Sequence, residues 1–327
     1  MNLIDVTRSF QSDDDCLAYM ESMRWPDGIR CPTCHSDHVS KIERKAKTVT
    51  RKKADGGIRE HKQRTRIYQC LEKCTMNTKG EMVNAQFSAT SGTLFNDSHL
   101  SLQKWFMAVA IIVDAKKGVS ANQLKEHLGI GSYRTSWYMS HRIRKAMEES
   151  RPTKMIGVVE VDETYIGGKS KRRGIQKRRE KDMVLGMRER GGRVRFFHVP
   201  DGKKDTIRDI VNKNIRTDVQ QIVTDSAVVY DFALDKVWQS RHHQVNHSTH
   251  WVSPAGVHTN TVESAFSLLK RGLIGSFHRV SIEHLHRYLS EFEWRFNERK
   301  AEDRFSMTLA RMMGVEPMTY AALTEQA

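Results

Sequence analysis

Three acidic residues in three different local contexts restrict the fold of this chain more than any other feature. Asp162 lies in V-E-V-D-E-T-Y-I-G-G, Asp225 in I-V-T-D-S-A, and Glu263 in N-T-V-E-S-A-F-S-L-L-K-R. The first two each close a short β-branched apolar run, which reads as a strand. The third stands at a helix start near Asn260. A fold that uses these acids together must bring two strands and one helix, distant in sequence, to one point. Each acid also has a local explanation. Asp commonly ends strands, and Glu263 fits the N3 position of a capping box opened by Asn260. Those explanations leave out Lys270, which follows Glu263 by two helical turns and shares its face.

The charge balance gives the acids a context. Lys and Arg number 54 against 39 Asp and Glu, a formal charge of +15. Such a surplus favours a polyanionic partner through phosphate neutralisation and counterion release. Acids gathered in so basic a chain point to DNA chemistry, because a carboxylate cluster can hold two divalent cations that clamp both oxygens of a phosphodiester displacement. The hydrophobic share of 38% supports a packed core, and the mean hydropathy of -0.61 argues against membrane residence. No apolar run approaches the roughly 18 residues of a membrane span. The start, M-N-L-I-D-V-T-R-S-F, lacks a charged residue followed by an apolar stretch. A bacterial cytoplasmic protein is expected, associated with the nucleoid when bound to DNA, with no membrane partner.

Residues 1–30 read as a helical segment, with Asp13, Asp14 and Asp15 suited to a helix N-terminus. Residues 31–100 form a second module around Cys31, Cys34, Cys70 and Cys74. The spacing C-x2-C and C-x3-C suits a tetrahedral zinc ribbon, with one structural Zn²⁺ and no catalytic position open. The spacer exceeds the usual ribbon range of roughly 15–20 residues, and its bases and turn residues fit an elongated hairpin. His35 and His38 rank below the cysteines as ligands, and Cys16 reads as a core residue. An odd cysteine count without a signal peptide fits reduced cytosol.

Residues 101–150 are helical, and Gly118, Leu124, Leu128-Gly129 and Tyr133–Met139 have the spacing of a helix-turn-helix. Its second helix would offer Ser132, Tyr133, Arg134, Thr135 and Ser136 to a major groove. An ordinary antiparallel helix pair fits the same spacing. Residues 151–327 form the last module: a strand at Met155–Val161, two strands joined at Gly191-Gly192, a helix at Asp205–Val211, a strand at Gln221–Thr224, and helices from Asn260 onward. A basic stretch from Lys169 to Lys181 follows the first strand. It includes Lys171, Arg172, Arg173, Lys177 and Arg178.

These motifs carry a resemblance. D-E-T-Y-I-G-G-K, T-D-S, the run H-x-N-x-x-E-S-x-F-S-L-L-K-R-G-L-x-G-x-F-H from His258 to His278, and Y-L-S-E-F-E-W-R-F-N-E-R together resemble DDE insertion-sequence transposases, nearest the zinc-ribbon, ISXO-like group of bacterial elements. The likeness extends upstream through the cysteine pairs and F-S-A-T-S-G-T-L-F-N-D-S. It implies an α/β fold, a ribonuclease-H-like catalytic core preceded by a zinc ribbon and a small helix-turn-helix-like segment. It implies that Asp162, Asp225 and Glu263 are catalytic and hold two Mg²⁺ or Mn²⁺ ions. Family members vary at the third acid, where Asn or His can stand, so Asn260 and His258 are possible catalytic neighbours. Lys270, Arg271, Arg134 and the basic stretch would contact double-stranded DNA, both the terminal inverted repeats and the target. Two ends must be processed together, so a homo-oligomer on DNA is expected by analogy. The alternatives are a DNA-binding regulator or a stand-alone nuclease derived from such an element.

Overall fold

The computed structural model describes residues 1–327 except 43–47, 53–57, 63–65, 151, 168–181, 227–229, 231–233, 246–257 and 326–327. The basic residues Lys171, Arg172, Arg173, Lys177 and Arg178 therefore lie outside the described residues. The fold is mixed α/β. Its strands are β1 (Val39–Ile42), β2 (Thr48–Lys52), β3 (Ile58–Lys62), β4 (Ile67–Met76), β5 (Met82–Phe87), β6 (Val158–Ile166), β7 (Asp182–Glu189), β8 (Val194–Val199), β9 (Gln221–Asp225) and β10 (His242–Val245). The helices are α1 (Leu3–Ser9), α2 (Asp13–Arg24), α3 (Leu102–Asp114), α4 (Ala121–Leu128), α5 (Tyr133–Met147), α6 (Lys204–Asn214), α7 (Lys236–Gln239), α8 (Asn260–Gly272), α9 (Ile282–Asn297), α10 (Arg304–Gly314) and α11 (Tyr320–Thr324). Among the described residues no helix is long and apolar enough to cross a membrane.

The contacts divide the chain into two compact units, Met1–Asp114 with Leu124–Ala146 and Asp303–Leu323, and Ala115–Gln123 with Met147–Glu302 and Thr324–Ala327. In the first unit the N-terminal stretch forms two helices rather than one. Asn2 with Asp5, and Ser12 with Asp15, each close a reciprocal capping box, so two separate starts are stabilised. Helix α3 buries Trp105, Phe106, Val109, Ile112 and Val113. Phe106 packs edge-on against Phe10 at 4.8 Å and Phe305 of α10 at 5.7 Å. Strands β1, β4 and β5 form an antiparallel sheet, and β2 pairs with β3 as a separate hairpin. Helices α4 and α5 follow the expected helix, Gly turn, helix pattern. On α5, Ser132, Tyr133 and Arg134 are exposed at or just before the first turn, but Ser136 is buried. The helical period turns Ser136 inward with Met139, Ser140 and Ile143, so it is not on the outward face expected of it.

The second unit is built on a five-stranded sheet of order β10-β9-β6-β7-β8. Strands β10, β9 and β6 run parallel, while β6, β7 and β8 are an antiparallel meander. Strand β6 begins at Val158 and continues to Ile166, past the expected end at Val161. Its ladder with β7 is unbroken from Val159↔Glu189 to Ile166↔Asp182, so the acidic residues do not end the strand. Asp162 consequently sits in mid-strand. Alternation sorts the two faces. Val159, Val161, Leu185, Met187 and Ile222 pack with Ile207 and Val211 of α6 and with Tyr230 and Trp238. Val184, Val194 and Phe196 pack on the other face with Phe266 and Leu269 of α8 and Leu285, Leu289 and Phe292 of α9.

Helix α9 also covers the open edge of β8, whose backbone would otherwise present unpaired groups. Asn297 accepts from Val194 N–H at 2.8 Å and donates to Val194 C=O at 3.0 Å, and Glu293 accepts from Phe196 N–H at 2.5 Å. Burial pushes the Glu293 carboxyl up to about 8, against the lowering effect of that hydrogen bond and of Arg195. A carboxyl raised in the folded state contributes stability that is complete below its ordinary value and lost as pH rises through the raised one. Glu293→Gln should therefore match the parent in thermal midpoint below about pH 4.5, the unperturbed value, and gain on it progressively up to about pH 8. A gap that does not change with pH would refute the assignment.

Candidate active site and metal centres

The site begins with register. Strand β6 pairs β9 with Val158↔Gln221, Val159↔Ile222 and Glu160↔Val223. Carried two residues further, the same parallel register sets Asp162 level with Asp225. Their carboxylates converge with that of Glu163, the ligand oxygens of all three lying within 4.8 Å of one another. Glu163 is the member that sequence reasoning missed. Alternation sends a residue next to Asp162 toward the opposite face, and Tyr230 from that side donates its hydroxyl to Glu163. Burial raises the Glu163 carboxyl, with the Tyr230 hydrogen bond opposing and Asp225 adding to the rise. Burial first, then the charges of Glu163 and Asp225, push Asp162 up to about 7, with a smaller push from Glu263. Acids held this close repel one another until a cation or protons offset the charge. The donor set is all carboxylate oxygen, which fits a hard divalent cation such as Mg²⁺ or Mn²⁺.

Glu263 arrives on α8, and the start of that helix is fixed by Glu160. Glu160 is fully buried on β6, on the same face as Asp162. Its Oε2 accepts from Thr261 N–H at 3.0 Å, Val262 N–H at 3.0 Å and Thr261 Oγ1 at 2.6 Å. Its Oε1 pairs with Arg190 Nε at 2.8 Å. One carboxylate thus satisfies two of the unpaired N–H groups of a helix N-terminus and complements its positive end. Arg190 also donates to His258 C=O at 2.9 Å, and His258 Nδ1 lies 3.3 Å from Glu160 Oε1. Thr259, not Asn260, is therefore the N-cap residue of α8. Glu263 is the fourth helical residue, and its Oε1 accepts from Thr259 Oγ1 at 2.9 Å. The capping-box explanation of Glu263 is replaced by this arrangement.

Close approach of α8 to the sheet depends on a glycine. Gly186 is the β7 partner of Asp162. A Cβ there would stand 2.5 Å from Phe266 Cζ and 3.1 Å from Val262 Cγ2, so any side chain would push α8 off the strand that carries Asp162. In the resulting geometry Asp162, Glu163, Thr164 and Glu263 line one cavity of about 640 Å³ together with Lys270, Arg271 and Lys117. Its acids lie on the strand and helix start, and two of its cations, Lys270 and Arg271, stand two turns along α8. Lys270 and Arg271 are exposed, as is Asn260, whereas His258 is drawn to Glu160 and is not among the cavity's lining residues. Lys117 has no sequence signal. A Cβ on Gly272 would lie 2.7 Å from Lys117 C=O, so that glycine admits the Lys117 segment. After α8 the chain adds a π-helical turn, Leu273–Phe277, whose Ile274, Gly275 and Ser276 complete the lining.

The first unit holds a separate centre. Cys31 Sγ lies 3.7 Å from Cys74 Sγ, and Cys34 Sγ 3.6 Å from Cys70 Sγ. All four sulfurs are within 4.8 Å of one another. Four thiolates at about 2.3 Å from a tetrahedral Zn²⁺ would be about 3.8 Å apart, so the donor set fits a structural zinc ion. The extra residue of the second knuckle is absorbed where the β4–β5 register shifts between Gln69 and Lys73. His38 pairs with Glu72 at 3.3 Å, and the cluster contains neither His38 nor His35. Cys16 is buried in α2. Arg134 lies over the ring of Tyr320 at 3.9 Å.

Residues 154–297 match the model of the ISXO2-like transposase domain, and residues 11–76 that of the transposase zinc-ribbon domain. A protein of the transposable element ISH50 from Halobacterium salinarum is 27% identical over 308 residues, covering 88% of this chain and 92% of that one. A transposase-like protein of Haemophilus influenzae is 31% identical over 109 residues, covering 33% of this chain and 85% of its own length. Among solved structures, the Mos1 strand transfer complex aligns over 63% of this chain and 77% of that one, with a TM-score of 0.26 and 13% identity, too distant to bear on the fold.

Two predictions follow from the geometry. Glu160→Ala should lower unfolding stability by about 3 kcal/mol, because it strands the Arg190 charge and the α8 N–H groups; urea titration measures this, and a loss below about 1 kcal/mol would remove Glu160 from its anchoring role. Metal analysis of the purified full chain should find one zinc per chain, lost in Cys70→Ser. Stoichiometric zinc in that variant would place the ion elsewhere.

Proposed function

This chain belongs to the ISXO2-like transposase family, and on that premise we propose that it binds the ends of its own insertion sequence and catalyses their metal-dependent cleavage and strand transfer. The observation that carries this reading is the convergence of Asp162, Glu163 and Asp225, of which Asp162 and Glu163 line a cavity shared with Glu263, Lys270 and Arg271. A sheet of order β10-β9-β6-β7-β8, with an antiparallel meander beside parallel strands, supports a ribonuclease-H-like core.

In this reading Asp162, Asp225 and a third acid hold two divalent cations. When bound, such ions polarise the scissile phosphate and ease deprotonation of the attacking hydroxyl. The chain's own groups do the rest. The acids hold the reacting centre at the level where β6 and β9 align. Lys270, Arg271 and Lys117 offset phosphate charge further along the cavity. Tyr230 holds the Glu163 carboxylate by its hydroxyl. Cleavage joins a water oxygen to phosphorus and releases the 3′ oxygen as a hydroxyl. Strand transfer then uses that 3′-hydroxyl against a target phosphodiester and releases a target 3′-hydroxyl. Double-stranded DNA is the partner, as terminal inverted repeats and as target, and the working form on DNA is a homo-oligomer, because two ends are joined in one event.

The test is Mg²⁺- or Mn²⁺-dependent cleavage and joining of DNA carrying the element's ends. Asp162→Asn and Asp225→Asn should each lose roughly three or more orders of magnitude in both steps. Glu163→Gln and Glu263→Gln compared side by side identify the third acid. Cleavage without joining would make the protein a nuclease, binding with neither activity would make it a regulator, and full activity in Asp162→Asn would remove the catalytic assignment.

A further inference from the structure

A second cavity lies wholly within the first unit and contains no residue of the acidic cluster. It measures about 940 Å³, within the range of roughly 300–1,000 Å³ typical of small-molecule sites. Its walls come from the Asp97–Leu100 turn, from Trp105, from one face of α5 and from Tyr320. The chemistry of those walls is specific. Arg134 lies over Tyr320 at 3.9 Å, and Arg142 lies 5.3 Å from the Trp105 ring and 5.1 Å from the Tyr138 ring.

Arg142 is 3% exposed. Its Nη2 donates to Asn96 C=O at 2.6 Å, while its Nε–H meets no acceptor. Arg142 is thus a fixed, positively charged part of the cavity wall. The cavity also reaches Gly131 and Ser132 at the start of α5, a helix of 15 residues. Helix N-termini of this length favour anions, phosphate above all. Phosphate alone does not explain the wall, however, because Asp97 is part of it. A carboxylate repels a bare phosphate but accepts from the amino and imino N–H groups of a nucleobase edge. Aromatic faces, guanidinium groups, a helix N-terminus and one acceptor together match a nucleotide: stacking for the base, positive charge for the phosphate.

We propose that this cavity receives a single unstacked nucleotide of bound DNA, its base against the edge-to-face pair of Tyr138 and Tyr320, whose centroids lie 5.5 Å apart, and its phosphate toward Arg134 and the α5 N-terminus. The inference rests on the reading that the chain binds DNA, and assigns to the helical segment a pocket for one base in addition to contact with a duplex. Tyr320 sits on α11 near the end of the chain, so this pocket would tie the last helix to DNA recognition.

The experiment uses the full chain and a short 5′-phosphorylated single-stranded oligodeoxynucleotide carrying one 2-aminopurine. Binding should reduce its emission severalfold, because the base enters a stacked environment. Tyr320→Phe should retain the effect, whereas Tyr320→Ala should weaken binding about tenfold, the value of one base–aromatic stack, and restore emission. Ser132→Asp, which keeps a favourable helix cap but places negative charge at the phosphate end, should also weaken binding. Unchanged emission on binding, equal quenching in Tyr320→Ala and Ser132→Asp, or equally effective competition by a fully paired duplex would each overturn the pocket. Cleavage and joining of end DNA, run in parallel, separates the two readings. Activity without quenching rejects the pocket alone, and quenching without activity rejects the transposition reading alone.

Discussion

The carboxylate of Glu160 is the interaction on which the geometry of the second unit depends. Fully buried and held by two backbone N–H groups, a threonine hydroxyl and Arg190, it fastens the start of α8 to the strand that carries Asp162. A buried charge is costly unless every lone pair finds a donor; here the donors are the same groups that a helix start leaves unpaired. The penalty and the orphaned amides offset one another, and the by-product is position. Glu263 sits one residue beyond the anchored Val262, and Lys270 two turns further, so both inherit their placement from the Glu160 anchor.

A second constraint acts in the opposite sense. Asp162, Glu163 and Asp225 are held together at a cost in burial and then in charge repulsion, expressed as the rise of Asp162 to about 7. The surrounding structure tolerates this because the supports are apolar and tight. Gly186 lets Phe266 press onto β7, and Val159, Val161 and Ile222 seal the opposite face. Apart from the Tyr230 hydroxyl on Glu163 and the Glu163 N–H on Asp162, this packing confines the acids more than it stabilises them.

Much of this was legible in the sequence, and the exceptions have physical causes. Asp162 and Asp225 follow β-branched runs, so two-residue periodicity located them, though it placed Asp162 at a strand end that the β7 ladder in fact carries past. The cysteine pairs were readable because thiolate spacing reports metal geometry directly, and the long spacer and extra knuckle residue are absorbed by a hairpin and a register shift. Glu160 carries no local signal of its role, since nothing in the sequence around it reveals that α8 will cover it. Glu163 likewise has no local signal, because its hydrogen bond from Tyr230 is a contact formed only in three dimensions. Lys117 depends on the absence of a side chain at Gly272, a condition set by packing between segments about 150 residues apart in the chain. Asn260 was read as the first capping residue because Asn is a strong cap former; Thr259 takes that place once Glu160 supplies the acceptors.

The return of residues 303–323 to the first unit has a consequence for biosynthesis. Phe305 closes the aromatic contact with Phe106, Tyr19 meets Ser306 at 2.6 Å, and Leu94 donates to Met312. Each of these partners waits on a segment that the ribosome produces only after the whole of Met147–Glu302. The first unit therefore begins to emerge first yet lacks Asp303–Leu323 until Met147–Glu302, which carries every acid of the site, has been made. Its aromatic core around Phe106 closes only with a segment made after the last acid of the site.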